Sequence, residues 1–185
     1  MGLDISAYSQ LERVEVPDFD TDSELDQWEN RMWDSGGLQI RSNYIFPEHM
    51  EGIDDGWYLP SGEYYGFRAG SYSGYNEWRK LLTFSVGYSS IEDVWGNNLE
   101  GPFTELINFS DSDGIIGPEY SKKLYEDFIN YENEIIDKLS ENMMGFTSTI
   151  PERIDVDTYN YFISVYNDFK KAFEIASDNG VVLFH

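Results

Sequence analysis

The chain has 185 residues, 35 acidic against 12 basic, a formal net charge of −23, 17% aromatic residues and no cysteine. Its length and apolar content suffice for one packed domain, residues 1–185, and exclude general disorder. The lack of thiols excludes a disulfide scaffold, a Cys-based zinc site and a thiol nucleophile, and the carboxylate field repels nucleic acid backbones and anionic membranes.

In chain order, residues 3–16 alternate loosely and read as one or two strands. The acid-rich DFDTDSELD stretch leads into a helix in which Leu25, Trp28 and Met32 recur at helical spacing. Thr21 with Glu24 forms a capping-box pattern ahead of it, and Gly36-Gly37 stops it. Leu38 to Arg41 alternates like a half-buried strand. Residues 44–72 are rich in Gly, Pro and aromatics and read as short strands of a hairpin region, with turns at Asp55-Gly56 and Ser61-Gly62.

A helix is predicted from about Gly74 to Ser85, with Trp78, Leu81 and Leu82 on one face. Residues 87–118 read as loops. Pro118 then opens a helix whose stripe runs Tyr120, Leu124, Phe128, Tyr131, Ile135 and Leu139. Asp155 or Asp157 caps another, striped by Tyr159, Phe162, Tyr166, Phe169, Phe173 and Ala176, and Asn179-Gly180 ends it through a left-handed Gly. Val181 to Phe184 is a buried strand. The expected fold is α+β: a small mixed or antiparallel sheet, three or four helices on one face, and long aromatic-rich loops opposite.

Two segments carry candidate chemistry. Residues 68–79, RAGSYSGYNEWR, form a basic island, whereas residues 1–63 hold 15 acids against Arg13, Arg31 and Arg41. A helix N-terminus offers free N–H groups to an anion. Ser71 and Ser73 add hydroxyls, Arg68 and Arg79 add forked donors, and Tyr72, Tyr75 or Trp78 offers a stacking surface, with Asn76 beside them. There is no GxxxxGK[ST], so this is not a P-loop. The duller reading is capping, core aromatics and an ion pair.

The second segment is residues 108–119, NFSDSDGIIGPE, with Asn108, Ser110, Asp111 and Asp113 as ligand-binding candidates. Its DSDG string resembles part of an EF-hand loop, but the register puts Phe109 and Tyr120 where ligands belong. No cofactor is expected; a nonstandard divalent cation at Asp111 and Asp113 is the one candidate, and a tight turn is the duller reading. His49 sits in an acidic loop with no assigned role. His185 is expected at an exposed end, with a shared site beside Asp111 and Asp113 as the alternative. No GxSxG elbow is present, and catalytic residues remain unknown.

The strings MGLDISAY, GSYSGYNEWR, ELINFSDSDGIIGP and AFEIASDNGVVLFH resemble those of a group of uncharacterised bacterial and phage proteins. The resemblance implies a phage or bacterial origin and brings no activity or site. No apolar run approaches the roughly 20 residues of a membrane span, and no secretory signal opens the chain. A cytoplasmic protein of the bacterial host is therefore expected.

The leading functional expectation is a binding protein rather than an enzyme. It would hold a small anionic, nucleotide-like ligand between residues 68–79 and 108–114, as a counter-defence protein sequestering an immune signal. The alternatives are an inhibitor whose acidic residues 12–34 dock on a basic host protein, and a metal-assisted hydrolase using Asp111 and Asp113. A homodimer is a further expectation, given the many aromatic rings.

Overall fold

A computed structural model describes residues 2–97, 99–109, 114–146 and 150–185. The fold is α+β, as expected, with its strands divided between two antiparallel sheets. The larger sheet has the order β5 (Tyr64–Ser71), β1 (Gly2–Tyr8), β7 (Val181–Phe184), β6 (Gly114–Ile116). The smaller has the order β2 (Leu11–Val14), β4 (Gly56–Pro60), β3 (Leu38–Ile40).

The period-2 alternation decides which layer each side chain joins. Leu3, Ile5 and Ala7 of β1, with Val182 and Phe184 of β7, face a core shared with helices α2 (Tyr72–Ser85), α5 (Pro118–Asn130) and α7 (Val156–Ala176). The opposite face of the sheet presents Tyr8, Val181, Leu183 and Ile115 to Leu11, Ile40 and Tyr58 of the small sheet. Trp57 points the other way along β4 and meets Trp28 and Met32 of α1 (Asp22–Asp34). The layers therefore run helices, large sheet, small sheet, α1. The long loops expected opposite the helices are in fact the second sheet and α1.

The ring-rich core hangs on Phe169, which contacts Phe67, Tyr75, Trp78, Phe173 and Phe184 with centroids 5.0–6.1 Å apart. Such offset and edge contacts add to simple area burial. The polar ends of these rings are satisfied: Trp78 Nε1 donates to the Phe162 carbonyl at 3.1 Å and the Tyr166 hydroxyl to the Phe128 carbonyl at 2.6 Å.

The helix starts follow the sequence signals. Thr21 and Glu24 form the reciprocal capping box, Asp155 accepts from the Thr158 N–H, and Pro118 opens α5. Ser71 accepts from the Gly74 N–H, so α2 begins at Tyr72, two residues before the expected start.

Four features differ from the sequence reading. Residues 44–72 do not form a hairpin: β4 pairs with β2 and β3, and β5 with β1, so the chain changes sheet at residues 61–63. The stretch read as loops contains α3 (Ile91–Gly96), α4 (Thr104–Asn108) and β6. The long stripe from Tyr120 to Leu139 is broken at Tyr131 into α5 and α6 (Glu132–Met144), with neither Pro nor Gly at the break. At the end of α7 the left-handed residue is Asn179, at φ 48°, and not Gly180. Gly180 is required for space instead, because a Cβ there would overlap the Tyr8 carbonyl.

Candidate functional site

The residues of the basic island are largely engaged within the protein. Arg79 is buried. Its Nη1 donates to the Ile107 carbonyl at 2.7 Å, its Nη2 to Asn76 Oδ1 at 2.9 Å, and its guanidinium lies 5.4 Å from the Tyr75 ring centre. Tyr75 and Trp78 are core residues, and the Tyr75 hydroxyl donates to the Phe109 carbonyl at 3.1 Å. Ser71 caps α2 and lies 3.1 Å from the Ser73 hydroxyl. Tyr72 packs half-buried against the core. Arg68 lies on β5 with a 60% exposed side chain, 3.9 Å from an Asp4 carboxylate oxygen.

The two segments singled out in the sequence therefore do meet, through Tyr75 to Phe109, while Arg79 reaches Ile107 just ahead of the second. They meet by direct contact of backbone and side chain, and the two guanidiniums point to different places, one inward and one to solvent. Ser110, Asp111 and Asp113 lie outside the described residues. His185 is exposed, as expected, and its backbone pairs with Asp4 beyond the Phe184–Gly114 register.

Asn108 leads to a different site. It closes α4 and, with His49, lines a pocket of about 190 Å³ whose other walls include Phe46, Glu48, Thr104, Glu105 and Tyr120. His49 is 4% exposed and Asn108 9%. His49 Nδ1 and Asn108 Oδ1 are both shielded from solvent and have no hydrogen-bond partner among the described residues. Leaving such an atom unpaired costs about 1–3 kcal/mol, so two on residues that line one pocket need an explanation.

The local fold shows how His49 comes to be there. Asn43 clamps the chain to the edge of β6: its Nδ2 donates to the Ile115 carbonyl at 2.7 Å and its Oδ1 accepts from the Ile115 N–H at 2.9 Å. This side-chain amide stands in for another strand. Phe46 then takes a left-handed φ of 58° and opens a 3-10 turn, Pro47–Met50. The Gly117 N–H donates to the His49 carbonyl at 2.7 Å and ties that turn to the start of α5. The imidazole stacks on Phe46 at 4.8 Å and is flanked by Phe109 and Tyr120.

On the far wall, Phe103 enters α4 through a left-handed φ of 60° while its N–H donates to Asp127 at 2.8 Å. Lys123 Nζ binds Glu105 at 2.5 Å, Asp127 at 2.9 Å and the Gly101 carbonyl at 2.6 Å. This lysine is thus spent on holding α4 to α5.

Burial governs the protonation states. It holds the His49 imidazole below its usual range, against the opposing pull of Glu48 and Glu105 and with a smaller contribution from Lys123 in the same direction. It raises the Tyr120 phenol, with Glu105 adding to the effect. Asp127 is also held above the ordinary carboxylate range by burial, despite the Phe103 N–H and Lys123. Glu48, Glu100 and Glu105 give the lining of this pocket an acidic character. Among the described residues, no group of three or more His, Asp or Glu is placed to hold a metal ion.

A broader groove of about 590 Å³ lies between α2 and the start of α7, with Leu81, Phe84, Ile150 and Ile154 among its lining. Arg153 at its edge donates to the Met143 carbonyl through Nε and Nη2. Unlike the His49 pocket, its lining includes none of the buried unpartnered side-chain atoms found among the described residues.

Comparison of the chain with protein families, curated proteins and solved structures gives no match. Among the described residues, no helix is long and apolar enough to cross a membrane.

His49, Glu105 and Tyr120 were not singled out as site residues in the sequence, whereas Asn108 was. The only available signal was a lone histidine set among Phe46, Pro47 and acids, on a segment too irregular to show a period.

Proposed function

We propose that this protein binds a small ligand in the pocket between the His49 turn and α4. One observation carries the reading: His49 and Asn108, distant in sequence and each with a buried side-chain atom that has no partner among the described residues, line one concavity. At about 190 Å³ the pocket is smaller than the roughly 300–1,000 Å³ of sites for drug-sized molecules, so the ligand is about one ring in size. Catalysis is not needed to explain any feature of this site.

The anionic, nucleotide-like ligand of a counter-defence protein draws less support. It would need Arg79 to leave two internal acceptors, and of the two arginines of residues 68–79 only Arg68 faces solvent.

The test is a thermal-shift screen of one-ring compounds, with hits checked by NMR for movement of the Asn108 side-chain amide and His49 ring signals. Ligand at a hundred times its Kd stabilises by about 2.7 kcal/mol, or roughly 5–10 °C for a chain of this length. Hits should lose their effect in Asn108→Leu. Hits that act equally on that variant, or a screen with none, would refute the reading.

A second reading has its own support. Asp22, Glu24, Asp26 and Asp34 are exposed on α1, which also carries Trp33, itself 52% exposed and edge-on to Trp57 at 4.7 Å. An acidic face with one large ring suits a basic protein surface. Salt-sensitive capture of a host protein that is lost in Trp33→Ala would favour it.

A further inference from the structure

We infer that β5 is a self-association edge: a second copy of this chain pairs with it antiparallel, centred on Gly66, and joins two large sheets into one. The inference stands apart from the pocket reading and does not depend on it.

β5 is an outer strand of the large sheet, and its register with β1 settles where its backbone points. The Asp4 N–H and carbonyl bond to His185, on the β7 side. Hydrogen bonding along an antiparallel pair alternates. Leu3, Ile5 and Ala7 are therefore the β1 residues that bond to β5, through Gly70, Phe67 and Tyr65. The Ser9 N–H, which donates to the Glu63 carbonyl at 3.0 Å, keeps the same phase. The N–H and C=O groups of Tyr64, Gly66 and Arg68 thus point outward, and no hydrogen bond among the described residues reaches them. Gly66 is exposed, and it has only backbone to expose. The run ends at Ala69, the extra residue of a bulge, whose carbonyl accepts from the Tyr161 hydroxyl at 2.6 Å.

The other outer strand, β6, has its Ile115 N–H and carbonyl covered by Asn43. β5 has no such cover, and it carries no Pro, Lys or acidic residue of the kind that blunts an edge.

The strand also fits itself. Set antiparallel to its copy, Gly66 faces Gly66 and each Tyr64 faces the Arg68 of the other copy. This register pairs all three outward residues, as a twofold contact of like surfaces requires. It sets each guanidinium beside a Tyr64 ring; that tyrosine is 63% exposed and the Arg68 side chain 60%. The two Arg68 positions stay roughly 13 Å apart, beyond a Debye length of about 8 Å at physiological salt. No carboxylate of β5 enters the seam, whereas a basic foreign strand would meet Arg68 as a like charge. Away from the seam two chains of −23 repel each other, so the dimer is weak and is strengthened by salt.

Sedimentation velocity on the full chain, from about 10 to 500 µM, should show monomer passing to dimer. Association should be at least about three-fold tighter at about 0.5 M salt than at about 0.05 M. Amide exchange followed by NMR locates the contact: Tyr64, Gly66 and Arg68 should slow as the monomer fraction falls, while Tyr65 and Phe67, already bonded to β1, should not. Arg68→Glu alters one exposed side chain, and Gly66→Pro removes an outward N–H; each should weaken dimerisation at least about ten-fold with the circular dichroism spectrum retained. Should the proline variant misfold, Arg68→Glu decides alone. A chain monomeric at both salts, a dimer that salt weakens, a dimer indifferent to Arg68→Glu, or protection gained elsewhere overturns the inference. Protection of the three outward amides of a monomer by a synthetic Val-Thr repeat peptide would also overturn it, and would assign the edge to a strand of another protein.

Discussion

Replacing Arg79 by Ala separates two roles that its residue type allows. As a ligand-gripping cation its loss would abolish binding and barely touch stability. The structure gives it a structural role. Its Nη1 bond to the Ile107 carbonyl is a buried, charge-assisted contact worth about 1.5–3 kcal/mol. The bond to Asn76 and the guanidinium beside the Tyr75 ring add to that, and truncation leaves a void beside α4. Against this, Arg79 Nε is itself buried without a partner, and removing it recovers about 1 kcal/mol. The net expected loss is about 3 kcal/mol. Arg68→Ala, which breaks one exposed 3.9 Å pair, should cost under about 0.5 kcal/mol. Urea unfolding followed by tryptophan fluorescence at pH 7.5 measures both. If Arg79→Ala costs less than about 1 kcal/mol, the guanidinium is not bracing α2 against α4, and the basic island regains its claim to a ligand.

Gly180→Ala should cost about 3 kcal/mol or more, or prevent folding, because its methyl group would occupy the space of the Tyr8 carbonyl where β7 meets β1; a soluble variant with an unchanged urea midpoint would contradict that close approach. For His49 the sign follows from its lowered pKa. The unfolded chain takes up a proton near pH 6.5 that the folded protein resists, so the neutral ring's contribution is complete above that pH. It is lost as the pH falls from about 6.5 through the lowered folded value. Relative to His49→Phe, the wild-type chain should therefore lose stability over that window, by at most about 1.4 kcal/mol per pH unit. Comparing the two chains cancels the general relief of carboxylate repulsion on acidification, and parallel curves from pH 7.5 to 5 would show that His49 is not buried.

The parts of the fold legible in the sequence are those with local causes. Thr21 and Glu24 announce a helix start because the capping box needs nothing beyond its own turn. Asp155, Pro118 and the stripe of α7 speak for the same reason. Sheet membership is not local. Trp57 to Pro60 and Tyr64 to Gly70 read as partners because they are consecutive, yet β4 finds β2 and β3 while β5 finds β1. The break at Tyr131 is hidden because apolar spacing continues across it, with Leu124, Phe128, Ile135 and Leu139 all buried. α3 and α4 are too short for a period to register. Of the pocket, Asn108 was visible as part of an unusual polar string. His49 was not, since its meaning comes from the Asn43 clamp on β6, a contact across 72 positions.

Strand β7, between β1 and β6, imposes an order of assembly. β1 can pair with β5 once residues 64–71 are made, but its other edge waits for residues 181–184. Over that interval Leu3, Ile5 and Ala7 sit on a strand with an open flank, the kind of template on which nascent chains associate. The high negative charge gives those unfinished chains mutual repulsion during the wait. The acidic composition thus offsets an exposure that the strand order itself creates.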